Sequence, residues 1–411
     1  MVEVKDVPRL KFKGFSGIWD SRALGDVASF YKGKGLPKSA IQGDGLFPCI
    51  HYGELFTNYS EVIETVTSKT NQNDNFVSIC NDVLMPTSDV TPKGLVKSCC
   101  VKQSGVVLGG DILVIRPNDQ DIIDGEFLSR FIRTREQQVL QNVTGSTVFH
   151  LYASSIEKLD VAFPSIEQQK AIGTFFKNLD NQITLKQHKL DKLITLKKAM
   201  LEKMFPKDGA DEPEIRFKGF SGTWNSELLD ANADFAKGQG YSKSDLVEAG
   251  TPIVLYGRLY TKYESFISKV DTFVNAKPGS LFSKGCEVVV PASGETAEDI
   301  ARASAILKEG VLLGGDLNII YPNEKFTSVF LALSLSNGKV QKDLSKRAQG
   351  KSVVHVRNSD IKELEISFPS IEEQKAIGAY FAKLDDLISL QKTELTKLKQ
   401  IKSSCLEKMF V

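Results

Sequence analysis

The chain has 411 residues, of which 41% are hydrophobic and 25% are charged, and its formal net charge is +1. A chain of this length is too long for a single hydrophobic core of ordinary size, so we expect two domains. The composition is that of a globular protein and excludes a disordered or fibrous chain. No window approaches the roughly 20 apolar residues of a membrane span, and the N-terminus lacks the apolar stretch of a signal peptide. We therefore expect a cytoplasmic protein without membrane association.

The sequence repeats itself at an offset of 205 residues. KFKGFSGIW from Lys11 returns as RFKGFSGTW from Arg216, KGKG returns as KGQG, LGGD recurs unchanged, and FPSIEQQKAIG returns as FPSIEEQKAIG. The similarity is uneven. From Gly145 and from Gly350, 16 of 29 positions are identical, whereas few match between residues 36 and 80 and their partners. One part of each repeat is therefore held alike, while another part differs.

Each repeat begins with a module of mixed character. Short β-rich runs such as VVLGGDILVIRP and GVLLGGDLNIIYP alternate with helical stretches such as GEFLSRFIRTREQQVL. This pattern predicts an α+β module over residues 1–164 and another over 213–369, with loops that are rich in Gly, Ser, Thr and Lys. The segment PKDGADE, at 206–212, combines proline, glycine and acids, so we expect an exposed linker there.

A long helix is predicted after each module, over residues 165–205 and 370–411. Ser165 and Ser370 are suitable N-caps, and Gln168 and Glu373 stand where a capping box would be completed. Apolar residues at alternating steps of four and three predict a coiled-coil seam. The seam comprises Ile172, Phe176, Leu179, Ile183, Leu190, Leu193, Met200 and Met204 in the first helix, and Ile377, Phe381, Leu384, Ile388, Leu395, Leu398, Cys405 and Met409 in the second.

The nearest partner for each stripe is its own duplicate. Because modules and helices alternate along the chain, we expect the two helices to pair as an antiparallel coiled coil. Lys186, Lys197, Gln391 and Lys402 interrupt the seam. Lys186 and Gln391 occupy equivalent places, where they either fix the register of the pair or are tolerated surface defects.

Catalytic motifs are missing from the sequence. It contains no Walker loop, no GxGxxG before a helix, no HExxH, no GxSxG and no Asn/Asp-Pro-Pro-aromatic loop of adenine methyltransferases. Only two of the four histidines, His150 and His355, correspond between the repeats, and the six cysteines form no CxxC pair. We therefore expect no catalytic residue, no metal site and no cofactor bound by this chain.

The motifs and their doubled order resemble those of the specificity subunit of a type I DNA restriction-modification enzyme. They include KGFSGIW and KGFSGTW, KGKG and KGQG, PASGETAEDIARAS and FPSIEEQKAIG. The resemblance covers both repeats. It implies a tandem of two α/β target-recognition domains, each followed by a long helix, in a non-catalytic subunit that reads a bipartite, asymmetric site in double-stranded DNA.

In that family the helices set the spacer between the half-sites and dock two modification (methyltransferase) subunits, which restriction (motor-nuclease) subunits join. S-adenosylmethionine, ATP and Mg²⁺ are then expected in the partner subunits.

Candidate DNA contacts lie in the polar loops of both modules. Long side chains such as Arg258 and Gln239 can make paired hydrogen bonds to base edges, whereas Ser, Thr and Lys more often contact phosphate. The candidates of the first module are Lys32, Lys34, Tyr52, Thr57, Tyr59, Ser88, Thr91, Lys93, Thr144, Ser146 and His150. Those of the second are Lys237, Gln239, Tyr256, Arg258, Thr261, Tyr263, Ser293, Glu295, Thr296, Gln349, Lys351 and His355. The glycines at 33, 35, 238 and 240 are expected to serve turn geometry.

The charge balance argues against DNA binding, and two alternatives to it stay open. Lys plus Arg number 17 against 19 Asp plus Glu over residues 1–164, and 20 against 22 over 206–369, whereas DNA binding usually leaves a basic footprint. The main alternative is a two-domain coiled-coil scaffold that binds proteins and no DNA. The second alternative is an enzyme with an unrecognised motif.

Overall fold

The computed structural model describes residues 7–15, 19–73 and 76–410, so residues 16–18 of the first KGFSGIW motif lie outside the described part. The chain divides into two compact units. Unit 1 comprises Met1–Lys186 and Glu394–Val411, and unit 2 comprises Gln187–Thr393. Both divisions fall within the long helices. Each unit therefore contains one module, the first part of the helix that follows it, and the last part of the other repeat's helix.

Unit 1 contains short strands and helices followed by the first long helix. Its strands are β1 Asp20–Ala23, β2 Ala28–Lys32, β3 Phe47–Ile50, β4 Val62–Ile63, β5 Lys69–Thr70, β6 Asp82–Pro86, β7 Ser88–Asp89, β8 Cys99–Val101, β9 Val107–Leu108, β10 Ile112–Pro117, β11 Thr144–Gly145, β12 Phe149–His150 and β13 Asp160–Phe163. The helices are α1 Leu24–Val27, α2 Glu54–Thr57, α3 Gly125–Thr134, α4 Glu136–Leu140, α5 Ala153–Ile156 and α6 Ile166–Lys203, with 3-10 turns at Lys38–Ala40 and Pro92–Val96.

A five-stranded sheet of order β2-β10-β6-β8-β4 organises unit 1. Its pairings are antiparallel except that β4 runs parallel to β8. The central strands are mostly apolar because both faces of the sheet are covered, and successive side chains alternate between two cores. Val83, Met85, Leu113 and Ile115 join the core that α3 covers, and Leu84, Ile112 and Val114 join the core on the other face. Three smaller sheets surround this one, in the orders β5-β3-β9, β11-β12-β7 and β1-β13.

Unit 2 repeats this plan. Its strands are β14 Asn225–Leu228, β15 Ala233–Lys237, β16 Leu246–Val247, β17 Thr251–Val254, β18 Phe266–Ile267, β19 Phe273–Val274, β20 Phe282–Lys284, β21 Val288–Pro291, β22 Ser293–Gly294, β23 Ser304–Ile306, β24 Glu309–Leu313, β25 Leu317–Pro322, β26 Val354–His355 and β27 Glu365–Phe368. The helices are α7 Arg258–Thr261, α8 Ala297–Ile300, α9 Ser328–Leu335, α10 Gly338–Arg347, α11 Asn358–Lys362 and α12 Ile371–Met409, with 3-10 turns at Leu229–Ala231 and Lys243–Asp245.

The sheet orders of unit 2 are β15-β25-β21-β23-β18, β16-β19-β17-β24-β20, β22-β26 and β14-β27. Here too the central strands divide their side chains between two cores. Val288, Val290 and Ile320 face the core that α9 covers, and Val289, Leu317 and Ile319 face the other. The predicted α+β class, with two modules each followed by a long helix, is confirmed.

Within each unit, the two long helices run antiparallel. In unit 1, Asp180 and Lys186 of α6 contact Lys402 and Glu394 of α12 at 2.7 Å and 2.5 Å, so the numbering rises along one helix as it falls along the other. In unit 2, Lys197 occupies the position equivalent to Lys402, and its ammonium lies 2.6 Å from Asp385. Two of the predicted interruptions of the seam are thus equivalent ion pairs.

The predicted seam residues are buried or half-buried throughout. Those below 9% exposure are Ile172, Phe176, Leu179, Leu190, Met204, Ile377, Phe381, Leu384, Ile388, Leu395 and Met409. Ile183, Leu193, Met200, Leu398 and Cys405 are half-buried. Gln391 is buried at 4% exposure. A role for Lys186 and Gln391 in fixing the register stays a prediction.

The phenylalanine just beyond the end of each long helix fills the core of the other repeat's module. In unit 1, the Phe410 ring lies 5.3 Å from Phe127 and 6.4 Å from Trp19, measured between ring centroids. In unit 2, Phe205 lies 5.5 Å from Phe330 and 6.0 Å from Trp224. The repeated LEKMF sequences therefore end in core residues, and each module is completed by a helix that the other repeat provides.

The FPSIE(Q/E)QKAIG motif joins each helix to its module through a buried glutamine. Gln169 accepts a hydrogen bond from the backbone of Asp124 at 2.9 Å and donates to Ile122 and Pro164 carbonyls at 2.8 Å each. Gln374 makes the matching bonds to Thr327, Lys325 and Pro369. The motif recurs because this amide holds the start of the helix against the loop before α3 or α9.

The capping box predicted at Glu373 is not formed. Its carboxylate is 2% exposed and accepts two hydrogen bonds from the Arg216 guanidinium, at 2.9 Å and 2.6 Å, instead of one from the backbone of Ser370. A charged donor with two parallel N–H groups competes successfully with a single backbone amide. Ser370 still caps the helix, because its hydroxyl accepts from the N–H of Glu373 at 3.4 Å.

A buried ion network binds the helices of unit 1 to their module. Lys402 lies 2.9 Å from Glu61 and 2.7 Å from Asp180, and Asp180 in turn accepts from Arg130 at 3.2 Å. Burial opposes ionisation of Glu61, but Lys402, Arg133 and Arg130 together lower the pKa of its carboxyl from 4.5 to about 2. In unit 2, Ser265 occupies the position that corresponds to Glu61, and its hydroxyl contacts Lys197. The carboxylate of Glu61 therefore has no counterpart in unit 2.

We predict that Glu61→Gln destabilises unit 1 by about 3 kcal/mol at neutral pH, the free energy that corresponds to the lowered pKa. Because the pKa is lowered in the folded state, this stabilisation is complete above pH 4.5 and disappears as the pH falls toward 2. Urea unfolding in a Trp224→Phe background, where Trp19 is the sole tryptophan, measures the difference between wild type and variant.

The matched control is Glu64→Gln, which breaks an exposed ion pair with Lys177 in the same unit and should change stability by less than about 1 kcal/mol. An effect of Glu61→Gln that is equally small, or that persists unchanged at pH 2.5, would show that the network contributes no such stability.

Candidate nucleic-acid interface

The LGGD turn between β9 and β10 gathers the candidate segments of unit 1. Backbone hydrogen bonds tie this turn to the end of β2, to the residues before α2, and to the segment between β6 and β7, which in turn binds the residue after β12. The four bonds are Lys34 N to Leu108 O at 3.1 Å, Gly109 N to Ile50 O at 3.0 Å, Thr87 N to Asp111 O at 2.8 Å and Leu151 N to Thr87 O at 3.1 Å. Four loops that are distant in sequence thus meet at one surface.

Unit 2 has the same four bonds around its own LGGD turn. They are Gln239 N to Leu313 O at 3.2 Å, Gly314 N to Val254 O at 2.9 Å, Ala292 N to Asp316 O at 2.8 Å and Val356 N to Ala292 O at 3.0 Å. Asp111 and Asp316 have φ values of 60° and 57°, a left-handed conformation that aspartate tolerates better than most residues. We call these equivalent surfaces the loop surfaces of unit 1 and unit 2.

The glycines of KGKG and KGQG are required for two different structural reasons. A side chain at Gly33 would bring its Cβ within 1.9 Å of the Gly109 carbonyl oxygen, and one at Gly238 within 1.8 Å of that of Gly314. These two positions therefore need glycine for backbone packing against the LGGD turn. Gly240 has a φ of +50°, which agrees with a turn.

A small antiparallel sheet carries the serine and histidine candidates. Ser88 of β7 pairs with His150 of β12 in unit 1, and Ser293 of β22 pairs with His355 of β26 in unit 2. Before each histidine the chain makes an exposed turn, which contains Ser146 in unit 1 and Lys351 in unit 2. The structure thus brings together two candidate loops of each module that lie far apart in the sequence.

Glycine is required at the start of these exposed turns. Gly145 has a φ of +118° and Gly350 a φ of +140°. A Cβ at Gly145 would meet the carbonyl oxygen of Val148 at 2.1 Å, and one at Gly350 would meet that of Val353 at 2.0 Å. Both conformation and space exclude a side chain, so the turn geometry depends on these two residues.

The side chain of Arg258 is largely buried, at the wall of an open depression in unit 2. It is 7% exposed, and its guanidinium binds Asp271, Glu264 at 2.7 Å and the Lys269 carbonyl at 3.1 Å. Lys262 and Arg258 lower the pKa of the Asp271 carboxyl, so the cluster stays charged. The prediction that Arg258 reads bases is therefore replaced by a structural role, because a buried guanidinium that turned toward DNA would leave two carboxylates without their partner.

Several other candidates have partners within the protein. Tyr59 and Tyr52 pack against the core that contains Ile50, and burial and Glu54 raise the pKa of Tyr59 to about 12. Tyr263 donates to the Ala303 carbonyl at 3.2 Å. The hydroxyls of Thr57, Thr91, Thr261 and Thr296 bond to Gly53, Asp89, Gly257 and Asp299, and Thr296 caps α8.

The lysine candidates remain available at the surface. Lys32 lies 3.8 Å from Asp111 and Lys93 lies 3.3 Å from Glu136, and both lysine side chains are more than half exposed. Exposed pairs of this kind contribute little and can exchange partners. Lys34, Lys237, Gln239, Thr144, Gln349 and Lys351 are also exposed. The open depression in unit 2 has a volume of about 1100 Å³ and is lined by Tyr241, Tyr256 and Asp316 among others.

The described residues form neither a metal site nor a membrane-spanning helix. Within residues 7–15, 19–73 and 76–410, no three His, Cys, Asp or Glu side chains are grouped so as to hold a metal ion. None of the helices in these ranges is long and apolar enough to cross a membrane.

Comparison with known proteins identifies the repeat. The family model described as type I restriction modification DNA specificity domain matches residues 17–195 and again 227–400. The chain is 23% identical over 407 residues to the type I restriction enzyme MjaVIII specificity subunit of Methanocaldococcus jannaschii, covering 93% of this chain and 90% of that protein.

Two solved structures share the fold. One is the S subunit of a type I restriction-modification system from M. genitalium, at a TM-score of 0.67 and 15% identity, covering 98% of this chain and 99% of that one. The other comes from a study of complex assembly and conformational transition of the type I R-M system, at a TM-score of 0.50 and 17% identity, covering 95% and 97%. Since the family model covers most of the sequence in two copies, the chain belongs to the type I restriction-modification DNA specificity family.

Proposed function

We propose that this chain reads a bipartite, asymmetric site in double-stranded DNA, with the loop surface of unit 1 on one half-site and that of unit 2 on the other. One observation carries the proposal: the same four backbone bonds support both surfaces, yet the side chains presented differ. Lys34 corresponds to Gln239, Thr144 to Gln349, and Ser146 to Lys351. Equal scaffolds with unequal side chains suit two different base sequences.

The exposed polar side chains divide by the contacts they can make. Gln239 and Gln349 can donate and accept together, as the paired edge of adenine requires, whereas Lys32, Lys34, Lys237 and Lys351 can hold phosphate or guanine. Ser88, His150, Ser293 and His355 recur in both units, so we assign them to contacts that do not depend on sequence.

The acidic balance of both modules argues that this chain does not bind DNA tightly alone. We infer that two modification subunits dock on the paired helices and provide much of the phosphate contact, and that restriction subunits join them. The equivalent helix ends in the two units suit two identical partners. Catalysis, with S-adenosylmethionine, ATP and Mg²⁺, is assigned to those subunits and not to this chain.

The same balance supports the alternative of a protein scaffold that does not read DNA. Retention of duplex DNA by the chain together with its modification subunits separates the two. Sequence-dependent retention supports the specificity role, and retention that is indifferent to sequence would favour the scaffold.

We predict that Gly145→Ala weakens sequence-specific DNA binding by about tenfold or more, because the distorted turn withdraws contacts that discriminate by about 1–3 kcal/mol each. Base preference should change in one half-site only, and Gly350→Ala should change the other. Selection from a random duplex library, followed by sequencing, measures both.

The matched control is Gly105→Ala, which also has a positive φ, +77°, but has no atom within 4 Å of the added Cβ and lies outside the loop surface. The control should keep wild-type base preferences. Unchanged preferences in Gly145→Ala would remove this turn from the reading surface.

We further predict that the helices set the spacer. Four residues inserted after His188 in α6 and after Thr393 in α12 add nearly one turn and about 6 Å, so the accepted spacer should lengthen by about two base pairs while both half-sites stay the same. Sequencing of selected duplexes reads the spacer directly.

A two-residue insertion at the same places is the control, because it turns the helix by about 200° and should abolish joint recognition of the half-sites. Retention of the original spacer by the four-residue variant would contradict the helices as spacers.

A further inference from the structure

Two exposed valines stand beside the serine and histidine candidates of unit 1. Val90 follows Asp89 at the end of β7, and Val148 precedes Phe149, its partner strand's first residue. Asp89 pairs with Phe149 at one end of the two-residue ladder, so both valines lie just beyond that end. Their exposed fractions are 72% and 44%. Neither is covered by the described part of the chain.

The register of this short ladder places the valines next to the candidate contacts. Val90 and Val148 lie one residue beyond the ladder in which Ser88 pairs with His150, so each is two residues from a candidate contact. Single exposed valines are ordinary on protein surfaces. Two of them at the tip of a loop surface, next to polar residues proposed to contact DNA, form an apolar contact point.

Unit 2 differs at one of the two positions. Val353, 50% exposed, corresponds to Val148, but Glu295 takes the place of Val90. The register is the same, because Gly294 pairs with Val354. Glu295 is exposed and makes no hydrogen bond or ion pair with the residues that the structure describes. The tips of the two loop surfaces are therefore apolar in unit 1 and acidic in unit 2.

Base edges distinguish these two chemistries. The 5-methyl group of thymine is the apolar group that the major groove displays, and aliphatic side chains pack against it. A carboxylate is repelled by phosphate, so at a DNA surface it is favourable only where it accepts a hydrogen bond from an amino group, such as N4 of cytosine or N6 of adenine.

We propose that Val90 and Val148 pack against a thymine 5-methyl group in the half-site of unit 1, and that Glu295 accepts a hydrogen bond from an exocyclic amino group in the half-site of unit 2. The inference rests on the proposed function and extends it to the base chemistry of each half-site. The two positions are specificity determinants because their difference lies on otherwise equivalent scaffolds.

The test uses the wild-type chain with its modification subunits and needs no variant for its first arm. A random duplex library selected on this complex gives the site, and duplexes of that site are then made with deoxyuridine replacing thymidine in one half-site at a time. Uracil differs from thymine only by the methyl group. We expect about fourfold weaker binding for one half-site, the loss that corresponds to one buried methyl group, and no change for the other.

Variants assign the half-sites. Val90→Ser with Val148→Ser should remove the response to deoxyuridine, and Glu295→Val should weaken the preference for cytosine or adenine at one position of the opposite half-site. All three residues are exposed, so we expect these substitutions to leave the fold unchanged.

The outcomes separate the inference from the proposed function. Sequence-specific binding that ignores deoxyuridine in both half-sites, or a response that survives the double serine variant, would overturn the inference and leave the bipartite reading intact. Failure of the library to yield any preferred sequence would overturn the proposed function and the inference with it.

Discussion

The structure depends on one constraint: each module's core is closed by the phenylalanine that follows the opposite repeat's long helix. Phe410 completes the core around Phe127, and Phe205 completes the core around Phe330. Removing a buried phenylalanine side chain costs about 3–5 kcal/mol, a large fraction of the stability of an ordinary domain. Neither module can reach its full stability as a segment of sequence before its own helix, so the repeat and the antiparallel pairing require each other.

This constraint explains which parts of the repeat stay alike. The buried glutamine at each helix start, the ion pairs Lys402 with Asp180 and Lys197 with Asp385, and the terminal LEKMF all serve the junction of helix and module. The glycines under the LGGD turns serve the backbone of the loop surfaces. Side chains that serve neither the junction nor the loop backbone are free to differ between the repeats. Our proposals on base recognition concern these side chains.

Much of the architecture could be predicted from the sequence, because repeats and apolar periodicity are local signals. The stripe from Ile172 and its copy from Ile377 predicted the paired helices. The role of Gln169 and the pairing of Glu373 with Arg216 could not be predicted, since their partners lie 47 and 157 residues away in sequence. Arg258 shows the same difficulty at the site: its loop position suggested exposure, whereas its burial depends on Asp271 and on a core that sequence alone does not display.

Hydrogen–deuterium exchange on Phe410→Ala and Phe205→Ala tests the central claim most directly. The account predicts a crossed result: Phe410→Ala lowers protection in α3 of unit 1 and spares α9, whereas Phe205→Ala lowers protection in α9 of unit 2 and spares α3. Loss of protection in the module that precedes the mutated helix, with the other module unaffected, would contradict the exchange of helix ends between repeats.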